Sequence, residues 1–125
     1  MKKILIVEDE TFVRFLYKEL LSKDYEIEEA IDGFEASEMI ESNKYDIVLL
    51  DVNIPFVNGI ELLKKIKGKN IKAKIIMISA YGMEEKKEKA RELGAVEYLV
   101  KPIDLDVLKS KIEKWCNNDD SKHSS

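Results

Sequence analysis

Five polar residues in this sequence stand where short apolar runs end. Glu8 and Asp9 follow residues 4–7 (ILIV), Asp51 follows 46–50 (DIVLL), Ser79 follows 73–78 (AKIIMI) and Lys101 follows 96–100 (VEYLV). Ala80 and Pro102 come directly after Ser79 and Lys101. If the runs are strands of one sheet, three carboxylates, a hydroxyl and an ammonium meet on one rim. Carboxylates gathered at one spot repel one another unless a cation sits among them. Hard oxygen ligands, some of them water, suit Mg²⁺, and a metal held this way keeps positions open for phosphate oxygens. Lys101 can pair with one phosphate oxygen and the Ser79 hydroxyl can donate to another. Asp51 is then a carboxylate nucleophile of the kind that forms an acyl phosphate. Phosphoryl transfer asks little more of a protein than positioning and charge neutralisation. Each residue alone has an ordinary role, as a helix cap, a turn former or a solvated charge. Those roles explain poorly why all of them fall just past strands of the same kind.

The segments that must position this set alternate along the chain. Apolar runs at 4–7, 25–30, 46–50, 73–78 and 96–100 read as strands. Between and after them lie stretches with helical spacing at 12–21, 35–40, 58–68, 84–93 and 104–115. Asn58 and Glu61 have capping-box spacing, Gly68 and Gly94 stop their helices, and Asp104 caps the last one. Runs that are apolar throughout belong in a parallel sheet covered on both faces. Right-handed crossovers then give an α/β, doubly wound five-stranded sheet built from five βα units. Ligands of such a sheet bind at the carboxyl ends of the strands.

The 125 residues fit one domain, expected over 1–117 with a polar, disordered tail at 118–125. Hydrophobic residues make up 45% and charged residues 37%, enough for a core under a charged surface and too apolar for a disordered chain. The net charge of −4, with no large Lys/Arg cluster, argues against direct nucleic-acid binding. The apolar run after Lys2 and Lys3 is only four residues long, too short for a signal peptide or a membrane span. The single cysteine, Cys116, is expected to be an unreactive thiol and points to a reducing, cytoplasmic setting.

The motifs ILIVEDE, DIVLLDVNIPFVNG, IIMISAYG and GAVEYLVKPID together resemble the receiver domain of bacterial two-component response regulators, over residues 2–115. The resemblance implies a flavodoxin-like strand order, 2-1-3-4-5. It implies that Asp51 is the phosphoacceptor, fed by the phosphohistidine of a histidine kinase or histidine phosphotransferase helical bundle. Asp9 and Asp51 would ligate Mg²⁺, or Mn²⁺ in its place, with the Asn53 backbone carbonyl, and Glu8 would act through a water. Lys101 would pair with a carboxylate before phosphorylation and with phosphate after it. Ser79 would bond the phosphoryl group and Tyr98 would swing inward as the aromatic switch. The Lys101–Pro102 bond would be cis. Family members often carry two aspartates where this chain has Glu8 and Asp9, a difference expected to alter metal affinity.

Such a protein is a phosphoacceptor that assists its own phosphorylation and dephosphorylation rather than an enzyme. The stand-alone members of chemotaxis, which bind a target directly, and of the sporulation phosphorelay, which pass phosphate onward, are the nearest in kind; the AYG and KPIDLD stretches favour the second. Tyr81, two residues past the hydroxyl, is expected to hinder attacking water and give a phosphate lifetime of at least minutes. The helix at 83–93 carries little besides charge, with pairs such as Glu85–Lys89, and is expected to be lightly anchored and movable. The first helix has more apolar residues than one buried stripe needs. Phe12, Val13 and Phe15, with Leu105, either bury deeper against the last helix or form the docking patch for the phosphodonor. Two rival functions remain open. One is a phosphate-independent binding module, which would need none of Asp9, Asp51, Ser79 and Lys101. The other is an aspartyl-phosphate hydrolase, which would need a titratable group where Asn53 stands.

Overall fold

Successive residues of the central strands fall alternately into two apolar clusters, one on each face of the sheet. A computed structural model describes residues 1–53, 58–69, 71–80, 82 and 84–117. The elements run β1 (Lys3–Val7), α1 (Thr11–Leu21), β2 (Glu26–Ala30), α2 (Gly33–Ser42), β3 (Ile47–Asp51), α3 (Gly59–Lys67), β4 (Lys74–Ser79), α4 (Glu84–Glu92), β5 (Ala95–Val100) and α5 (Leu105–Asn117). The strands form one sheet in the order β2-β1-β3-β4-β5, and every pairing is parallel.

Ile4, Ile6, Ile47, Leu49, Ile76 and Ile78 pack with Tyr17 and Leu21 of α1 and Leu108, Ile112 and Cys116 of α5. The alternate residues Leu5, Val7, Val48, Leu50, Ile75 and Met77 pack with α2, α3 and Ala90 of α4. This is the period of two expected of a strand covered on both sides. Each fully buried Ile or Leu stabilises the fold by about 1.5–3 kcal/mol, so the three inner strands are the rigid part of the sheet.

Helix starts follow local chemistry. Asn58 Oδ1 accepts from Glu61 N at 3.0 Å. Asp104 Oδ1 accepts from Asp106 N at 2.9 Å and Val107 N at 3.3 Å. Gly59 is needed for space: a Cβ there would lie 2.7 Å from Val52 Cα and 3.0 Å from the Asp51 carbonyl oxygen. Gly94 has φ +99°, a left-handed conformation that glycine adopts freely.

Several boundaries differ from those read in the sequence. Helix α2 begins at Gly33 rather than 35, because Asp32 Oδ1 accepts from Glu35 N and Glu35 Oε1 accepts from Ile31 N. Asp51 and Ser79 are the last residues of their strands rather than the first residues beyond them. Within α4, Glu84 pairs with Lys87 at 3.7 Å and Glu88 with Arg91 at 3.1 Å, i,i+3 pairs rather than the expected Glu85–Lys89. Gly68 caps α3 with right-handed φ (−74°). Strand β5 carries a register shift: Ile75 pairs with Ala95 but Ile76 pairs with Glu97. Met83, Tyr81 and the expected tail 118–125 lie outside the described residues. Among the described residues no helix is long and apolar enough to cross a membrane.

Candidate functional site

The carboxyl ends of β1, β3, β4 and β5 bring Glu8, Asp51, Ser79 and Lys101 to one place. Register does this. Asp51 closes β3 opposite Ile78, Ser79 closes β4 opposite Val100, and Lys101 N then donates to the Ser79 carbonyl at 2.7 Å. Glu8 follows Val7 and its N–H donates to the Ala30 carbonyl at 3.1 Å. Glu8, Asp51 and Ser79 are the buried polar side chains among the described residues.

Lys101 Nζ lies 2.8 Å from Asp51 Oδ2 and 3.4 Å from Glu8 Oε1, so one ammonium bridges two strand ends. Asp51 Oδ1 accepts from Asn53 N at 2.9 Å, and Glu8 Oε2 accepts from Glu10 N at 3.0 Å. One carboxylate oxygen from each of Glu8, Asp9 and Asp51 falls within 4.8 Å of the others. Asp9 is exposed and forms the open side of the cluster.

Burial pushes the Glu8 carboxyl up, to about 7, and the adjoining Asp51 carboxyl pushes the same way; the Glu10 N–H and Lys101 only partly offset them. Burial works against the Lys101 charge, but the hydrogen bond it donates to Asp51 and the charges of Asp51 and Glu8 outweigh it, and its pKa is raised. The cluster is therefore short of positive charge even with Lys101 in place. Three hard oxygen donors with one open side fit a small divalent cation. A groove of about 570 Å³ opens at the other end of the strands, lined by Lys2, Tyr45, Lys74 and Trp115 among others, and holds none of these acids.

Other residues singled out in the sequence take the following places. Asn53 and Ala80 are exposed beside Asp51 and Ser79. The Lys101–Pro102 peptide is cis. Tyr98 is half-buried and packs against the cluster that holds Met77 and Ala90, on the α4 side. Phe12 and Phe15 are 68% and 54% exposed, which overturns deeper burial against α5 as their role. Val13 and Leu105 are partly buried against the α1–α5 core. Burial pushes the Cys116 thiol up, as suits an unreactive side chain. Tyr81 lies outside the described residues.

Arg14, which no motif in the sequence marks, lies beside the site. Its guanidinium touches the carbonyls of both Glu8 and Asp9. Its position one turn into α1, after the three acids Glu8, Asp9 and Glu10, is the only signal of it in the sequence.

Comparison with known proteins agrees with this geometry. The family model for the response regulator receiver domain matches residues 4–113. Sporulation initiation phosphotransferase F of Bacillus subtilis (strain 168) is 35% identical over 115 residues, covering 91% of this chain and 93% of the relative. Chemotaxis protein CheY of Halobacterium salinarum is 41% identical over 103 residues, covering 82% and 86%. The crystal structure of response regulator protein TrrA from Thermotoga maritima, in complex with Mg²⁺-BeF, is 40% identical with a TM-score of 0.81, covering 92% of this chain and 99% of that one. By its sequence, its strand order and the match along most of its length, this chain belongs to the response regulator receiver domain family.

Proposed function

We propose that this chain is a response regulator receiver that accepts a phosphoryl group on Asp51 and changes the surface it offers a protein target. The observation that carries this reading is the Lys101 ammonium set between Asp51 and Glu8, which joins β5 to β3 and β1 through a single cation. In the transfer, an Asp51 oxygen bonds to phosphorus as the phosphorus–nitrogen bond of a phosphohistidine breaks. Lys101 exchanges its Asp51 oxygen for a phosphoryl oxygen, and the Ser79 hydroxyl donates to another. Asp9, Asp51 and the Asn53 carbonyl would hold Mg²⁺, or Mn²⁺, with Glu8 acting through water. The metal, when bound, neutralises the charge of the carboxylates and of the phosphoryl oxygens. The Mg²⁺-BeF complex of TrrA supports the same assignment here.

Movement of Ser79 toward the phosphoryl group draws its loop inward, Tyr98 turns toward the space this leaves, and α4 shifts. Support for a movable α4 is its anchoring: Ala90 is its one fully buried residue among those described. The phosphodonor is a histidine kinase or phosphotransferase bundle that docks over Phe12, Val13, Phe15 and Leu105, in the cytoplasm. Similarity to the sporulation phosphotransferase supports passing the phosphoryl group onward.

The test is the intact mass after incubation with acetyl phosphate and Mg²⁺. The wild type should gain one phosphoryl mass and Asp51→Asn none. An equal gain in Asp51→Asn would remove Asp51 from this role. A wild type that gains nothing would favour a phosphate-independent binding module.

A further inference from the structure

The loop that carries Glu8 and Asp9 is held from behind by one side chain. Helix α1 has Glu10 at its N-cap, and Glu10 makes no side-chain capping bond. Arg14, one turn later, folds back over the loop instead. Its Nη1 donates to the Glu8 carbonyl at 2.9 Å and to the Asp9 carbonyl at 3.0 Å. Its Nη2 reaches Thr11 Oγ1 at 3.4 Å. Its Nε lies 3.5 Å from Glu29 Oε1 on the neighbouring strand β2, with the side chain only 14% exposed. Glu29 is held in turn by Lys18 at 3.6 Å.

A guanidinium suits this position for two reasons. Its planar fork can take two carbonyls on one nitrogen while another nitrogen faces a carboxylate. It also puts a fixed positive charge behind two acids without coordinating a metal or entering the space between them. Lys101, by contrast, occupies that space. A flexible loop would have to order its two acids at the moment a cation binds, and that ordering costs affinity.

We propose that Arg14, anchored by Glu29, is a positioning residue for the cation site. It fixes the backbone at Glu8 and Asp9 so that their carboxylates are in place before the metal arrives. This rests on the reading of Glu8, Asp9 and Asp51 as a divalent-cation site. Partners of this outer kind, when lost, typically lower metal affinity by about 10–100-fold.

The test is Mn²⁺ binding to the unphosphorylated full chain, followed by electron paramagnetic resonance, with melting in EDTA measured alongside. Arg14→Ala should weaken Mn²⁺ binding by at least about tenfold, in the range such partners show. Arg14→Lys, which can reach one carbonyl but cannot span both, should fall between the wild type and Arg14→Ala. Glu29→Gln should show a smaller loss. Phosphorylation of each by acetyl phosphate should approach the wild-type rate once Mg²⁺ is saturating, since the reacting groups are untouched. Affinity equal to wild type in Arg14→Ala, or in Arg14→Lys if the alanine variant does not fold, overturns the proposal alone. So does a loss of affinity that only tracks the loss of melting temperature across the variants. A wild type that binds no Mn²⁺ overturns the cation site itself and this proposal with it.

Discussion

Replacing Glu8 by Gln should stabilise the metal-free protein at neutral and alkaline pH and leave it nearly unchanged in mild acid. Glu8 is 1% exposed, and burial together with the neighbouring Asp51 raises its pKa from 4.5 to about 7. Between those values the folded chain keeps a proton that the unfolded chain has released. Folding is then favoured less as pH rises, and above about pH 7 the whole difference is felt. That interval corresponds to about 3 kcal/mol. Gln keeps an oxygen that can accept the Glu10 N–H and carries an amide that can donate to Asp51, so the site stays hydrogen-bonded. The measurement is urea unfolding by circular dichroism in EDTA, at about pH 5 and about pH 8, for both proteins. The stability difference should grow by up to about 3 kcal/mol across that range, with Glu8→Gln ahead at the higher pH. Groups that titrate in both proteins cancel in the difference. A difference that is the same at both pH values would refute the account of Glu8 as a proton-holding buried acid.

Two further outcomes follow from the packing. Gly59→Ala places a methyl group 2.7 Å from Val52 Cα, so α3 or the end of β3 must shift; the urea midpoint should fall by about 1–3 kcal/mol worth of stability. An unchanged midpoint would mean that α3 slides away without cost. Phe15→Asp alters a largely exposed side chain, so stability should stay within about 0.5 kcal/mol. Transfer from a phosphohistidine donor should nevertheless slow by on the order of tenfold, about 1.4 kcal/mol of docking energy, while phosphorylation by acetyl phosphate stays the same. Equal transfer rates would remove Phe15 from the docking surface.

The membership of the site was legible in the sequence because each polar residue interrupts an apolar run, and a parallel sheet aligns such interruptions on one edge. The strand order needed the family resemblance, since period and length say nothing about which strand lies beside which. Asp32 and Glu35 also carry a readable signal, a capping pair three residues apart, and it places the start of α2 at Gly33 rather than at 35. Other features were not readable. Arg14 matters because a loop doubles back onto its own helix, a geometry that no spacing expresses. The exposure of Phe12 and Phe15 depends on how much of α1 the last helix covers. Strand β2, with three glutamates in five residues, is a sheet edge, where Lys3 pairs with Glu28 and Arg14 with Glu29 in place of an apolar face.

The register shift in β5 sets a constraint on chain length. Val96 packs toward the α1–α5 side, Glu97 meets Trp115 of α5 at 3.0 Å, and only then does Tyr98 face the α4 side. Two successive residues share a face, so everything after them is one step out of phase with the start of the strand. Removing one of Val96 and Glu97 would leave a plain alternating strand with Tyr98 still on the α4 side and Leu99 still on the side of α5. Among descendants of this chain, this segment should therefore accept the loss of one of these two residues more readily than a further insertion, which would have to be taken up by a second bulge.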